Sequence, residues 1–197
     1  RTILIGWMNN WMYSGNVPCN PWRSAFTLPR EISLVDIDGK PYIASKVVKE
    51  IDKIAGDWQN VTGANGEIPA SAVAYQLQLT LPMSEASTFS LSNDANEVFS
   101  ASTSTTYKQL RVKRGQDTGK AAANISYFSI PSVDGNIYTK EATVTLDIYV
   151  DQSSVEIFTA DGTMSMTNLV FPKSIYNQIS VPASATNVQY RILNSIW

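Results

Sequence analysis

In residues 74–81, AYQLQLTL, every second position is apolar, with Tyr75, Leu77, Leu79 and Leu81 on one face and Gln76, Gln78 and Thr80 on the other. A period of two puts successive side chains on opposite faces of an extended strand, so this segment needs a second layer to cover its apolar side. Residues 142–150 repeat the pattern, setting Val144, Leu146, Ile148 and Val150 against Thr143, Thr145, Asp147 and Tyr149. Further short strands are predicted at 88–91, 97–100, 109–113, 125–130, 154–159, 164–169, 178–182 and 188–193, with a polar connector at 100–108 and a turn at Asp161-Gly162. Short strands separated by turns predict a two-sheet antiparallel β-sandwich over residues 67–197.

The start of the chain is also extended but does not close on itself. Residues 2–8 read as a buried strand, 9–21 as a loop punctuated by Gly15, Pro18 and Pro21, and 25–28 and 31–36 as strand pieces around Pro29. Asp38-Gly39 is a hairpin signal, with 40–45 as the return strand. Residues 1–45 therefore look like the last antiparallel strands of a larger sheet, unable to form a core alone. Residues 46–55, KVVKEIDKIA, space Val47, Ile51 and Ile54 at helical intervals, and 57–66 is polar, so 46–66 is predicted to be a helical linker. The opening RTILI begins a strand with no initiator Met or signal-like segment, and Arg1 is expected to be an internal position of a longer protein.

Composition narrows the chemistry. The chain is 44% hydrophobic and 16% charged, as expected of an ordered globular protein. A net charge of −2, with no lysine cluster, leaves no basic field for nucleic acid or an anionic membrane, and no apolar run approaches the length of a membrane span. The absence of histidine removes Ser-His-Asp and Cys-His catalysis and His-ligated metal sites from this chain. The single cysteine, Cys19, forbids an internal disulfide and is expected to fill a loop as a small apolar group. Carboxylate chemistry or pure binding remains.

Residues 7–31, WMNNWMYSGNVPCNPWRSAFTLPRE, gather Trp7, Trp11, Tyr13 and Trp22 among amides, Ser14 and Arg23. Aromatic faces beside Asn side chains and a guanidinium suit a polyhydroxylated ligand such as a sugar, whose C–H faces lie on a ring while its hydroxyls take directional hydrogen bonds. The same composition fits a crowded structural loop whose indole N–H groups find local acceptors.

Residue order carries more information than composition. WMNNW followed by PWRSAFTLPRE resembles the late propeller segment of glycoside hydrolase family 32, the levanases, inulinases and invertases. DIYVDQSSVEIFTADGTMSMTNLVFP, residues 147–172, resembles the sandwich signature of that family, and LRVKRGQDTG, residues 110–119, its Val-Asp-Arg strand. Gln152 stands where the family has Arg, and Lys113 where it has Asp, which puts local pairings in the sandwich in doubt. The resemblance implies an all-β chain: the last strands of a five-bladed β-propeller followed by a two-sheet sandwich. It also implies a parent enzyme that cleaves β-fructofuranosidic bonds of levan, inulin or sucrose by a retaining double displacement, without a cofactor or metal. The partners implied are a fructan or sucrose-type carbohydrate and the N-terminal propeller of the same protein. An extracellular or periplasmic location follows only from polymeric fructan being an outside nutrient.

The family's two catalytic aspartates and its acid–base glutamate are implied to lie on earlier blades, before residue 1, leaving no catalytic residue in this chain. WMNNW shares its opening with the family's nucleophile motif but lacks the Asp-Pro-Asn-Gly continuation. The resemblance makes Trp11 the sugar-facing ring with Asn10 beside it and Trp22 at the rim, while Trp7 is expected in the core. Asp36 and Asp38 read as turn formers, Asp151 and Glu156 as structural acids, and Glu31 as a partner for Arg30. Arg23 and Arg30 are expected as buried guanidiniums clamping carboxylates or carbonyls between blades. For the sandwich, a structural role and a carbohydrate-binding role both remain, because fold alone does not choose between them. Its aromatics Tyr75, Phe89, Phe99, Tyr127, Phe128, Tyr149, Phe158 and Phe171 mostly occupy apolar alternation positions, which favours the structural role.

Overall fold

The computed structural model describes residues 1–19, 21, 23–114 and 132–196. The predicted strand at 125–130, with Tyr127 and Phe128, and the predicted rim residue Trp22 lie outside the described residues.

The three N-terminal strands, β1 (Thr2–Leu4), β2 (Arg30–Ile37) and β3 (Lys40–Val47), form one antiparallel sheet in the order β1-β2-β3. The β2–β3 turn is the two-residue loop predicted: Asp38 and Gly39 adopt φ of 57° and 75°, the double left-handed geometry that matches strand twist. The Asp36 carboxylate accepts the Gly39 N–H at 2.9 Å, confirming it as a turn former. Between β1 and β2 the chain makes only an isolated bridge, Trp7 to Phe26, in place of the strand piece predicted at 25–28.

The remaining strands are β4 (Gln59–Asn60), β5 (Asn65–Glu67), β6 (Ala74–Pro82), β7 (Thr88–Ser92), β8 (Val98–Ser104), β9 (Gln109–Lys113), β10 (Val133–Asn136), β11 (Thr143–Asp151), β12 (Ser154–Thr159), β13 (Ser165–Leu169), β14 (Gln178–Ser180) and β15 (Thr186–Ile192). They build two six-stranded antiparallel sheets, ordered β10-β9-β8-β7-β14-β5 and β13-β12-β11-β6-β15-β4. The alternating faces read from sequence meet between them: Tyr75, Leu77, Leu79 and Leu81 of β6 and Leu146 and Ile148 of β11 are all 0% exposed, packed with Phe89, Leu91 and Phe99 of the facing sheet.

Several boundaries differ from those expected, and each difference has a tertiary cause. No α-helix forms at 46–55; Lys46 and Val47 continue β3, pairing with Glu31 and Arg30, and only Lys49–Lys53 turns, as a 3-10 helix. Ten residues with adjacent β-branched valines make a marginal helix, and pairing with β2 outweighs it. The apolar stripe is nonetheless inward: Val47, Ile51 and Ala55 pack against Tyr149, Phe158 and Leu193. The polar connection at 57–66 supplies β4 and β5, the outermost strands of the two sheets, so the sandwich begins inside the predicted linker. Short polar strands read as loop because an edge strand has little to bury. Part of the polar connector at 100–108 is strand too: β8 runs to Ser104, with Ala101 and Thr103 buried.

The N-terminal segment is tied to the sandwich by a buried ion pair. Arg30, first residue of β2, reaches Glu156 in the middle of β12, with side chains only 10% and 3% exposed. The two Glu156 oxygens also accept the Leu28 N–H at 2.7 Å and the Thr167 hydroxyl at 3.0 Å. Arg30 donates further to Thr167 and to Ser165 Oγ at 3.3 Å, and its guanidinium lies 4.9 Å from the centre of the Phe158 ring. The structural reading of Arg30 and Glu156 is thus borne out, with the clamp joining blade strand to sandwich rather than blade to blade. Glu31 pairs instead with Arg1 at 2.9 Å. A second tie runs along β3, where the Ser45 N–H donates to the Gly162 carbonyl at 2.7 Å. Gly162 has φ of +81°, and a Cβ there would stand 2.7 Å from Lys46 Cγ, so only glycine fits this approach.

Removing one member of the clamp leaves a buried charge. Glu156→Gln and Arg30→Met should each cost about 3–5 kcal/mol in urea unfolding, and the double variant far less than their sum. Additive losses would show that the two side chains do not interact. In native-state hydrogen exchange, amides of β6 and β11 should outlast those of β1–β3, whose sheet leaves Leu34 75% and Ile43 65% exposed.

Candidate functional site

Residues 7–16 turn back on themselves at the end of the β1 side of the small sheet. Asn9 begins the turn: its side-chain oxygen accepts the Asn10 N–H at 2.9 Å and its amide nitrogen donates to the Arg23 carbonyl at 3.3 Å. Asn10 then caps the tip, its side-chain oxygen accepting the Met12 N–H at 2.8 Å and its carbonyl accepting from Tyr13 and Ser14. A short 3-10 turn, Ser14–Asn16, follows. Asn is suited to this position because its short amide mimics a backbone turn.

Trp11 sits at the tip and is 87% exposed, the most exposed of the large apolar side chains described. Its ring meets Trp7 at 5.1 Å between centres, tilted by 59°. Trp7 is not core as expected: it is 38% exposed, and its indole N–H donates to Ser24 Oγ at 2.9 Å. A tilted aromatic pair with the inner indole oriented by a hydroxyl forms a shelf, leaving the outer ring largely open. Arg23 is likewise exposed rather than buried, and it holds the loop through the Gly15 carbonyl. Of the three residues singled out for substrate contact, the structure brings Trp11 and Asn10 together, with Asn10 shaping the turn that presents Trp11. Cys19 is half-buried, and that burial pushes its thiol pKa up.

The base of the loop is apolar. Met8, 6% exposed, packs on Leu169 of β13 together with Tyr13, Ala25 and Phe171. Beside it runs a groove of about 340 Å³ between the N-terminal segment and the sandwich, lined by Met8, Leu28, Ile51, Tyr149, Asp151 and Glu156 among others. Of its two carboxylates, Glu156 is held in the clamp, and Asp151 is exposed, with one oxygen accepting the Gln152 N–H at 2.6 Å. Hydrolysis of a glycoside needs one carboxylate free to attack and another to hold a proton, about 5–5.5 Å apart for retention. The groove offers no such pair and is a junction. Among the described residues no group of three His, Cys, Asp or Glu side chains is placed to hold a metal ion, and no helix is long and apolar enough to cross a membrane.

Most of the described sandwich aromatics are inward, Tyr107 at 73% exposure being the marked exception. Tyr75, Phe89 and Phe99 are 0% exposed, and Tyr149 and Phe158 are buried against each other edge-on at 5.8 Å. Sequence reasoning did not find the Ser24 hydroxyl that orients Trp7, because a single serine in a loop carries no pattern. Asn10→Ala should remove one net hydrogen bond, about 0.5–1.5 kcal/mol, from the turn alone. Faster exchange of the Met12 and Tyr13 amides, with an unchanged sandwich, is the expected observation; unchanged exchange would mean that Asn10 does not hold the tip.

Residues 45–196 match the family described as Glycosyl hydrolases family 32 C terminal, and residues 1–45 match the Glycosyl hydrolases family 32 N-terminal domain. The chain is 30% identical over 207 residues to a levanase of Bacillus subtilis, covering 98% of this chain and 30% of that protein. It is 31% identical over 182 residues to an extracellular exo-inulinase of Aspergillus niger, covering 87% of this chain and 34% of the relative. The chain therefore spans about a third of the length of these curated relatives. The crystal structure of an exo-inulinase from Aspergillus awamori superposes over 99% of this chain and 41% of its own, with a TM-score of 0.82 at 23% identity. That agreement in fold makes the β1–β3 sheet the end of a β-propeller and the paired six-stranded sheets the sandwich that follows it. With both family domains matched in order and the C-terminal one over most of the chain, this chain belongs to glycoside hydrolase family 32.

Proposed function

We propose that this chain is the C-terminal part of a fructan-active hydrolase that cleaves β-fructofuranosidic bonds by a retaining double displacement. Residues 1–45 would close the propeller, and a connection after them would lead into the sandwich, which begins with β4 at Gln59. The partners are the rest of the propeller, which carries the catalytic carboxylates, and a levan, inulin or sucrose-type substrate. The single observation that carries this reading is the exposed Trp11 shelf, held by Asn10 and backed by Trp7, within the segment matched to the catalytic domain of the family. An indole face open at 87% can pack on the C–H face of a furanose while its N–H donates outward. The family resemblance implies catalytic carboxylates on the preceding blades, so Trp11 is proposed as a pocket wall and Asn10 as its support. Trp22 is proposed at the rim of the same pocket.

The sandwich is proposed as a structural partner of the propeller. Most of its described rings lie in the core, with Tyr107 at 73% the marked exception, whereas a carbohydrate-binding module would turn a row of them to solvent. An extracellular or periplasmic setting is proposed from the polymeric substrate, which is too large to enter a cell intact.

The isolated chain should release no fructose from sucrose, inulin or levan above blank. Release that is abolished by substituting an acid within this chain would overturn the assignment. In the full-length protein, Trp11→Ala should lower kcat/KM roughly ten- to a hundred-fold, the loss of about 1–3 kcal/mol of apolar contact and hydrogen bonding, with an unchanged Tm. Unchanged kcat/KM on every fructan tested would show that Trp11 does not face substrate.

A further inference from the structure

We infer that Leu169 and Phe171, at the end of β13, are positioning residues for Trp11, so that the sandwich sets the geometry of a pocket it does not enter. The inference rests on the reading of Trp11 as a substrate-facing ring. Trp11 itself is fixed by little: one tilted contact with Trp7 and the Asn10 turn. The residues on either side of that turn are fixed from outside. Met8, three positions before Trp11, is 6% exposed and packed on Leu169, which is 7% exposed. Tyr13, two positions after Trp11, is packed in the same cluster with Phe171 and Ala25.

Both feet of the loop thus stand on one apolar cluster whose far side is β13. Each side of the cluster is held in place: the Met8 N–H donates to the Ala25 carbonyl at 2.8 Å, and the Leu169 carbonyl accepts from the Arg114 guanidinium at 3.3 Å. Only four residues separate Met8 from Tyr13, so a shift of either foot is passed to the tip with little slack to absorb it. Close-packed interiors transmit displacement in this way, because a vacated volume is filled by movement of its neighbours. The β13 strand is held in turn by the clamp, since Ser165 and Thr167 of the same strand both contact Arg30.

The test is a double-variant cycle in the full-length protein, with kcat/KM measured on inulin and levan well below the melting temperature and Tm recorded on the same preparations. Leu169→Ala should lower kcat/KM about tenfold, the scale expected when a supporting contact remote from the chemistry lets a wall residue drift. The same substitution placed in a Trp11→Ala background should change kcat/KM no further, and Leu169→Met should restore most of the loss. Leu91→Ala, a core truncation in the opposite sheet, should lower Tm while leaving kcat/KM as it was. If Leu169→Ala fails to fold, Leu169→Val and Phe171→Leu carry the same cycle. Wild-type kcat/KM in the Leu169 and Phe171 variants, or an equal loss with and without the Trp11 ring, overturns the inference. A Trp11→Ala protein with normal kcat/KM instead overturns the prior reading of Trp11, so the two failures are told apart.

Discussion

Among the contacts that place the segment before residue 48, the most demanding geometrically is one buried ion pair, Arg30 with Glu156. Two charges withdrawn from water need hydrogen bonds to offset desolvation: here the carboxylate has a backbone N–H, a hydroxyl and a guanidinium around it, and the guanidinium donates to Glu156, Thr167 and Ser165 while its Nε has no partner. That requirement is geometric. It fixes β2 against β12 to within a hydrogen bond's tolerance, in a way that apolar contact between two flat surfaces would not. A hydrophobic pair of equal volume would tolerate sliding; a guanidinium facing a carboxylate, stacked on Phe158, does not.

From this anchor the order of construction follows outward. The sandwich core is closed by its own alternating strands and owes nothing to the N-terminal sheet. The N-terminal sheet, by contrast, leaves apolar side chains exposed on both faces, Ile3 on one and Leu4, Leu34 and Ile43 on the other. Apolar patches of that kind on a sheet mark a surface that expects a neighbour. Under the proposed function the neighbour is the preceding blade, and the sandwich serves as the fixed foundation against which the last blade and its tryptophan loop are set. Division of labour of this sort lets binding residues sit on a loop without the looseness of a loop, since the rigidity is supplied from the layer beneath.

Sequence patterns were most informative where burial has a simple period. The alternation in residues 74–81 and 142–150 located the two central strands of one sandwich sheet, and Asp38-Gly39 located the β2–β3 hairpin of the N-terminal sheet, because both depend on local rules that neighbouring residues obey whatever lies around them. The helix expected at 46–55 failed for the opposite reason. Its apolar spacing is real and faces inward, yet the same residues were claimed by pairing with β2, an interaction with a partner more than a dozen residues away. The edge strands β4 and β5 were invisible because polar residues at the margin of a sheet carry no periodic burial.

What the sequence alone determined is the all-β class, the N-terminal strands followed by a sandwich, and the family, each written in residues close together along the chain. What only the tertiary structure decided is which partners the isolated charged and aromatic residues would find. Arg30 passed over its neighbour Glu31 for Glu156, which lies 126 positions away, and Trp7 left the core to back Trp11. A carboxylate or an indole states its need for a partner in its chemistry but not the address of that partner. The address is set by how two separately folded layers meet.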